Sequence, residues 1–124
     1  MTTSRISAGN SRRAGVRRVR AALADLRTGL QRLYGQDAPA LLVYGSHARG
    51  EANDTSDIDV LLLYGKEPRR GQEVMRLSPI LAELNLRYQI LISVLPSSQA
   101  DYEGASGPFW DNLRREGVRV EAIG

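Results

Sequence analysis

Apolar and polar positions alternate with several different periods along this chain of 124 residues. Val16, Val19, Leu23, Leu26, Leu30 and Leu33 recur every three or four residues, which predicts a helix from about Ala14 to Tyr34, stopped by Gly35. Residues 1–12 are poor in apolar side chains and are expected to fray. "PALLVYG" then reads as a buried strand ended by Gly45, and Ser46 suits the cap of a short helix within the polar stretch Ser46–Ser56. "IDVLLLYG" is a second strand, so continuously apolar that both of its faces should be covered. After the loop "KEPRRG", a helix over Gln72–Leu86 carries Val74, Leu77, Leu81 and Leu84 on one side. "YQILISVLP" predicts a third strand stopped by Pro96, and "SSQADYEGASG" a mobile connection. Pro108 opens a short helix, "PFWDNLRREG", whose Phe109 and Trp110 should pack onto the sheet, and "VRVEAI" supplies an edge strand.

The order α-β-α-β-α-β-α-β defines an α/β domain over residues 13–124, a small mixed sheet with packed helices. Composition narrows the class without changing it. Charged residues make up 25% and apolar ones 42%, which excludes a disordered chain, and no apolar run approaches the ~20 residues of a bilayer span. The absence of cysteine excludes disulfides and thiolate metal sites. Charge is unevenly spread. Residues 1–34 hold eight arginines against Asp25, a balance of +7, so the remainder carries −4 of the net +3. That pattern fits a solvated basic helix beside an acidic site better than nucleic-acid binding, since no readout motif or interleaved aromatics accompany the arginines. The apolar stripe runs from the basic segment straight into the domain, so a cytoplasmic protein is expected rather than an organellar one.

Asp57 and Asp59 sit two residues apart at the mouth of the second strand, where strand geometry sends both to one side with Cα atoms roughly 6.5–7 Å apart. Two carboxylates at ~4 Å would repel by about 4 kcal/mol at an effective dielectric of 20, and a bridging divalent cation removes that cost. Oxygen donors without nearby His or Cys favour Mg²⁺ or Mn²⁺ over zinc. Upstream, Gly45 and Ser46 join a strand to a helix start, where close backbone approach and a hydroxyl suit phosphate oxygens, and Arg49 adds a guanidinium. Glu51 reads as a brace for Arg49 or its loop.

The combined motif G-S-x10-D-x-D, within "GSHARGEANDTSDIDVLL", resembles the minimal nucleotidyltransferase family of the DNA polymerase beta superfamily. "PFWDNLRREGV" is similar to that family's C-terminal helix. The resemblance implies a nucleotidyltransferase-like fold in which Gly45 and Ser46 bind a nucleoside triphosphate while Asp57 and Asp59 hold the metals; Arg49 joins the phosphate site on the chemistry of its guanidinium alone. It further implies transfer of AMP from ATP to an acceptor hydroxyl. A protein partner is expected, either a HEPN-type toxin in an antitoxin-like pairing or a second copy of the chain. Active relatives supply a third carboxylate from the next strand. "RYQILISVLP" contains no acid, and Gln89 is the expected occupant of that position, with Ser93 second. Glutamine cannot serve as a general base near neutral pH, so the alternative expectation is a nucleotide- or partner-binding module of the same fold with weak or no turnover. Glu83 and Asp101 are the nearest acids in sequence.

Overall fold

The computed structural model describes residues 3–50 and 57–120, with side chains from residue 15 onward. Helix α1 spans Thr3–Tyr34 and passes through a short 3-10 turn into strand β1, Ala40–Tyr44. Helix α2, Ser46–Arg49, follows directly, and β2 covers Ile58–Tyr64. Helix α3, Arg70–Tyr88, leads to β3, Ile92–Ser98, then α4, Gln99–Gly104, α5, Pro108–Glu116, and β4, Val118–Arg119. The strands form one mixed sheet in the order β3-β2-β1-β4. Strand β1 runs antiparallel to β2 and β4, whereas β2 and β3 are parallel, so α3 carries the chain back across the sheet between them.

Both faces of the sheet are covered. Leu23, Leu26 and Leu30 of α1 and Leu77 and Leu84 of α3 bury Val43, Ile58, Val60 and Leu62 on one face. On the other, Leu113 and Trp110 of α5 and Tyr102 of α4 cover Leu42, Leu61 and Leu63. This double burial is why β2 reads as an unbroken apolar run.

Three elements differ from expectation. Helix α1 begins at Thr3, so most of the segment expected to fray lies within it. The connection after β3 contains α4, because the Ser98 hydroxyl accepts the Asp101 N–H at 3.0 Å and caps a turn. Pro96 lies inside β3 rather than ending it. The Ile58 N–H donates to the Leu91 carbonyl at 2.9 Å, and parallel alternation then turns the odd-numbered residues of β3 toward β2. Pro96 therefore faces the free edge of the sheet, where a missing N–H costs no ladder bond and blunts pairing with another strand. Among the described residues, no helix is long and apolar enough to cross a membrane.

Candidate active site

The antiparallel register sets Tyr44, the last residue of β1, opposite Asp59, the second residue of β2. The exit of β1 and the entrance of β2 therefore share one end of the sheet. Parallel pairing brings Ser93, near the start of β3, beside Asp59 on its other flank. Asp59 alternates with Leu61 and Leu63, so its side chain belongs to the face covered by α4 and α5.

Gly45 takes φ +73° and ψ −150°, a conformation that L side chains rarely adopt. A Cβ at this position would stand 2.7 Å from Asp59 Oδ2. The Gly-Ser junction and the carboxylate thus meet in van der Waals contact, and only glycine permits the approach. Helix α2 starts at once, with the Arg49 N–H donating to the Gly45 carbonyl at 3.2 Å, and Gly50 in the left-handed region closes the turn. Asp57 is exposed just ahead of β2, and Asp59 is half-buried within it, so the pair straddles the strand's start instead of lying inside it.

Asp59 also acts on its neighbour. The Tyr44 hydroxyl is held above its ordinary pKa, first by burial and then by the negative charge of Asp59. No group of three or more His, Cys, Asp or Glu side chains able to hold a metal occurs among the described residues. Two aspartates with hard oxygen donors, one exposed and one half-buried, fit a solvated Mg²⁺ or Mn²⁺.

Gln89 needs correction. It is not on the strand at all: it caps α3 at φ 56°, its N–H donates to the Asn85 carbonyl at 2.9 Å, and its exposed side chain donates to the Leu86 carbonyl. The helix keeps its pattern through Tyr88, two residues beyond Leu86, and only then turns into β3. Ser93 is the residue in register with Asp59. Neither neighbouring acid reaches this position by way of β3. Glu83 pairs with Arg87 at 2.5 Å on exposed α3, and Asp101 belongs to α4, beyond the opposite end of β3.

Arg49 NH1 lies 3.3 Å from Glu116 Oε2, which links α2 to the last residue of α5. Glu51 lies outside the described residues. Sequence reasoning did not single out Glu116, because its partner Arg49 lies 67 residues away along the chain. Arg114 is occupied elsewhere, donating to the carbonyls of Tyr102 and Ala105, and Arg115 donates to Asn112.

A family model described as a nucleotidyltransferase domain matches residues 23–104, and the chain belongs to that family. A Methanocaldococcus jannaschii protein named "putative protein adenylyltransferase" is 38% identical over 80 residues, covering 64% of this chain and 76% of its own. Among solved structures, a "putative nucleotidyltransferase" from Sulfolobus solfataricus superposes with a TM-score of 0.55 at 17% identity, over 91% of this chain and 85% of that one. A toxin-antitoxin structure with AMP-PNP gives a TM-score of 0.51 at 15% identity, over 75% of this chain and 68% of the other. The likeness to these two solved structures is one of fold.

Proposed function

We propose that this chain is a Mg²⁺-dependent nucleotidyltransferase that moves AMP from ATP onto an acceptor hydroxyl of a partner protein. The observation that carries the reading is the contact between Gly45 and Asp59, with Asp57 beside it, at one end of the sheet. Gly45 and Ser46 would receive phosphate oxygens, Arg49 would add a guanidinium, and Asp57 and Asp59 would hold Mg²⁺ or Mn²⁺. The metal, when bound, neutralises charge on the triphosphate and on the departing pyrophosphate. In the reaction the acceptor oxygen bonds to the α-phosphorus, the bond from that phosphorus to the bridging oxygen of the β-phosphate breaks, and pyrophosphate leaves. The hydroxyl proton must pass to a base.

Ser93 occupies the register position where a third carboxylate would stand, and serine is a poor base. Slow transfer by the wild type is therefore the expected state, and a nucleotide-binding module with little turnover is the second reading, favoured by that same residue. The name of the Methanocaldococcus jannaschii relative supports a protein as acceptor. The fold shared with a toxin-antitoxin chain supports an antitoxin-like role beside a toxin, with a HEPN-type ribonuclease as the expected kind and the cytoplasm as the place.

Labelled-AMP transfer and pyrophosphate release, measured on the wild type and on Ser93→Asp, test the catalytic reading. General-base assistance is worth about 10²–10⁴-fold, so Ser93→Asp should raise transfer by about a hundredfold, while Gln89→Asp should leave it unchanged. Wild-type and Ser93→Asp proteins that both bind ATP and both release no pyrophosphate would favour the binding module.

A further inference from the structure

The chain has seven aromatic side chains, five Tyr, one Phe and one Trp. Six are buried or half-buried, and Phe109 alone is exposed, at 44%. Its position is not that of a stray surface residue. The Phe109 ring meets Tyr44 edge-on, with centroids 6.0 Å apart at 86°, and meets Trp110 at 5.3 Å and 84°. Two less exposed rings therefore fix its orientation while nearly half of its surface stays open to water. Tyr44 precedes Gly45 and faces Asp59 in register, so the exposed ring is one side chain away from the carboxylate. At the other end of α5, Glu116 reaches Arg49. The helix thus borders the site from the arginine of α2 to the aromatic pair.

We propose that Phe109, supported by Tyr44 and Trp110, is the stacking platform for the nucleobase of the bound triphosphate. The inference rests on the phosphate and metal site proposed at Gly45, Asp57 and Asp59, and deepens it by naming where the nucleoside goes. A nucleotide whose phosphates lie along Gly45 and Ser46 carries its base beyond them, and Phe109, packed edge-on against the Tyr44 that precedes Gly45, supplies a pre-oriented apolar face beside the site. Stacking needs only a π-face, so the platform accepts any base and favours the larger purines. ATP and GTP should therefore bind with similar affinity, with UTP and CTP a few-fold weaker.

Trp110 is the only tryptophan in the chain and sits against Phe109, which makes it a built-in reporter. With Mg²⁺ present, ATP should change Trp110 emission, and inorganic triphosphate should bind without changing it. Calorimetry should show Phe109→Ala weakening ATP about tenfold, the loss of roughly one stacked base, and leaving inorganic triphosphate unaffected. Phe109→Leu keeps an apolar side chain for packing and should fall between the two. Unchanged ATP affinity in both variants, alongside normal triphosphate binding, overturns the platform and spares the phosphate site. Failure of the wild type to bind either ATP or triphosphate overturns the platform together with the site beneath it.

Discussion

Asp59 near the start of β2 and Tyr64 at its close lie roughly 17 Å apart, about five residues of strand, and the two ends treat polar groups in opposite ways. At the far end, Tyr64 is buried and its hydroxyl is consumed within the fold: it donates to Glu73 Oε2 at 3.3 Å and lies 3.2 Å from the Tyr34 hydroxyl, which itself donates to Glu73. The Tyr34 and Tyr64 rings pack edge-on at 5.7 Å, and Arg76 stands over Tyr34 at 5.4 Å. That end ties the close of α1, the close of β2 and the first turn of α3 together. At the near end, Asp57 and Asp59 stand two residues apart, a glycine in a strained conformation abuts one of them, and no described residue forms an ion pair with either. One strand thus serves stability at one end and is set up for binding at the other. Closely spaced carboxylates beside strained backbone are the usual mark of a site, whereas satisfied buried polar groups mark a joint.

Substitutions that separate the two ends sharpen this contrast. The largest effect should come from Gly45→Ala. A Cβ there meets Asp59 and the backbone must hold φ +73°, so the cost is about 1–3 kcal/mol of stability. Metal-dependent ATP binding should be lost with it, because the carboxylate is pushed aside. Calorimetry and denaturant unfolding on the same sample would reveal whether the two losses occur together; a variant that binds ATP normally would undo the assigned contact.

Tyr64→Phe should do the reverse at smaller scale. It removes one hydroxyl from the far joint and should cost about 1 kcal/mol, with ATP binding untouched. Its pH dependence adds a second check. Burial, followed by the neighbouring Tyr34 and Glu73, raises the Tyr64 pKa in the folded state. A raised pKa gives a contribution that is present below the unfolded value of about 10 and lost as pH rises above it. The variant should accordingly lose less stability than the wild type between pH 10 and 11.

The smallest effect belongs to a clamp between α1 and α3, on the sheet face opposite to that of Asp59. Asp25 accepts from Tyr88 and from Arg87 at 2.8 Å, and first the Tyr88 hydrogen bond, then Arg87, hold its carboxyl below the usual range. A depressed pKa gives stability that is present above the unfolded carboxylate value and lost as pH falls through the folded one. Asp25→Asn should lower the melting temperature slightly at pH 7, as expected for a partly exposed pair, and the gap to the wild type should narrow as pH falls below the unfolded carboxylate value.

Much of this was legible in the sequence. The 3-4 stripe of α1 and the two apolar strands arise from local rules, and they appear where those rules place them, save that Val16 and Leu33 at the ends of the stripe are exposed. What escaped depended on long-range geometry. Gln89 looked like the start of a strand because Ile90, Leu91, Ile92 and Val94 follow it closely, yet α3 keeps its turns until an αL cap ends it. Which residue of β3 stands beside Asp59 is a matter of register, set by where that helix stops. The Arg49 pairing with Glu116 joins residues 67 apart, and no local pattern encodes it. Phe109 was expected on the sheet with Trp110, but only Trp110 joins the buried cluster, leaving Phe109 at the rim.

The central claim is that Asp57 and Asp59 hold a metal which fastens ATP to the Gly45 junction. Calorimetric titration of ATP with and without Mg²⁺, on the wild type and on Asp57→Asn with Asp59→Asn, tests it most directly. Mg²⁺ should strengthen ATP binding to the wild type at least tenfold and leave the double variant's affinity where it stands without the metal. Equal ATP affinity with and without Mg²⁺ in the wild type, or an undiminished Mg²⁺ effect in the double variant, would contradict it.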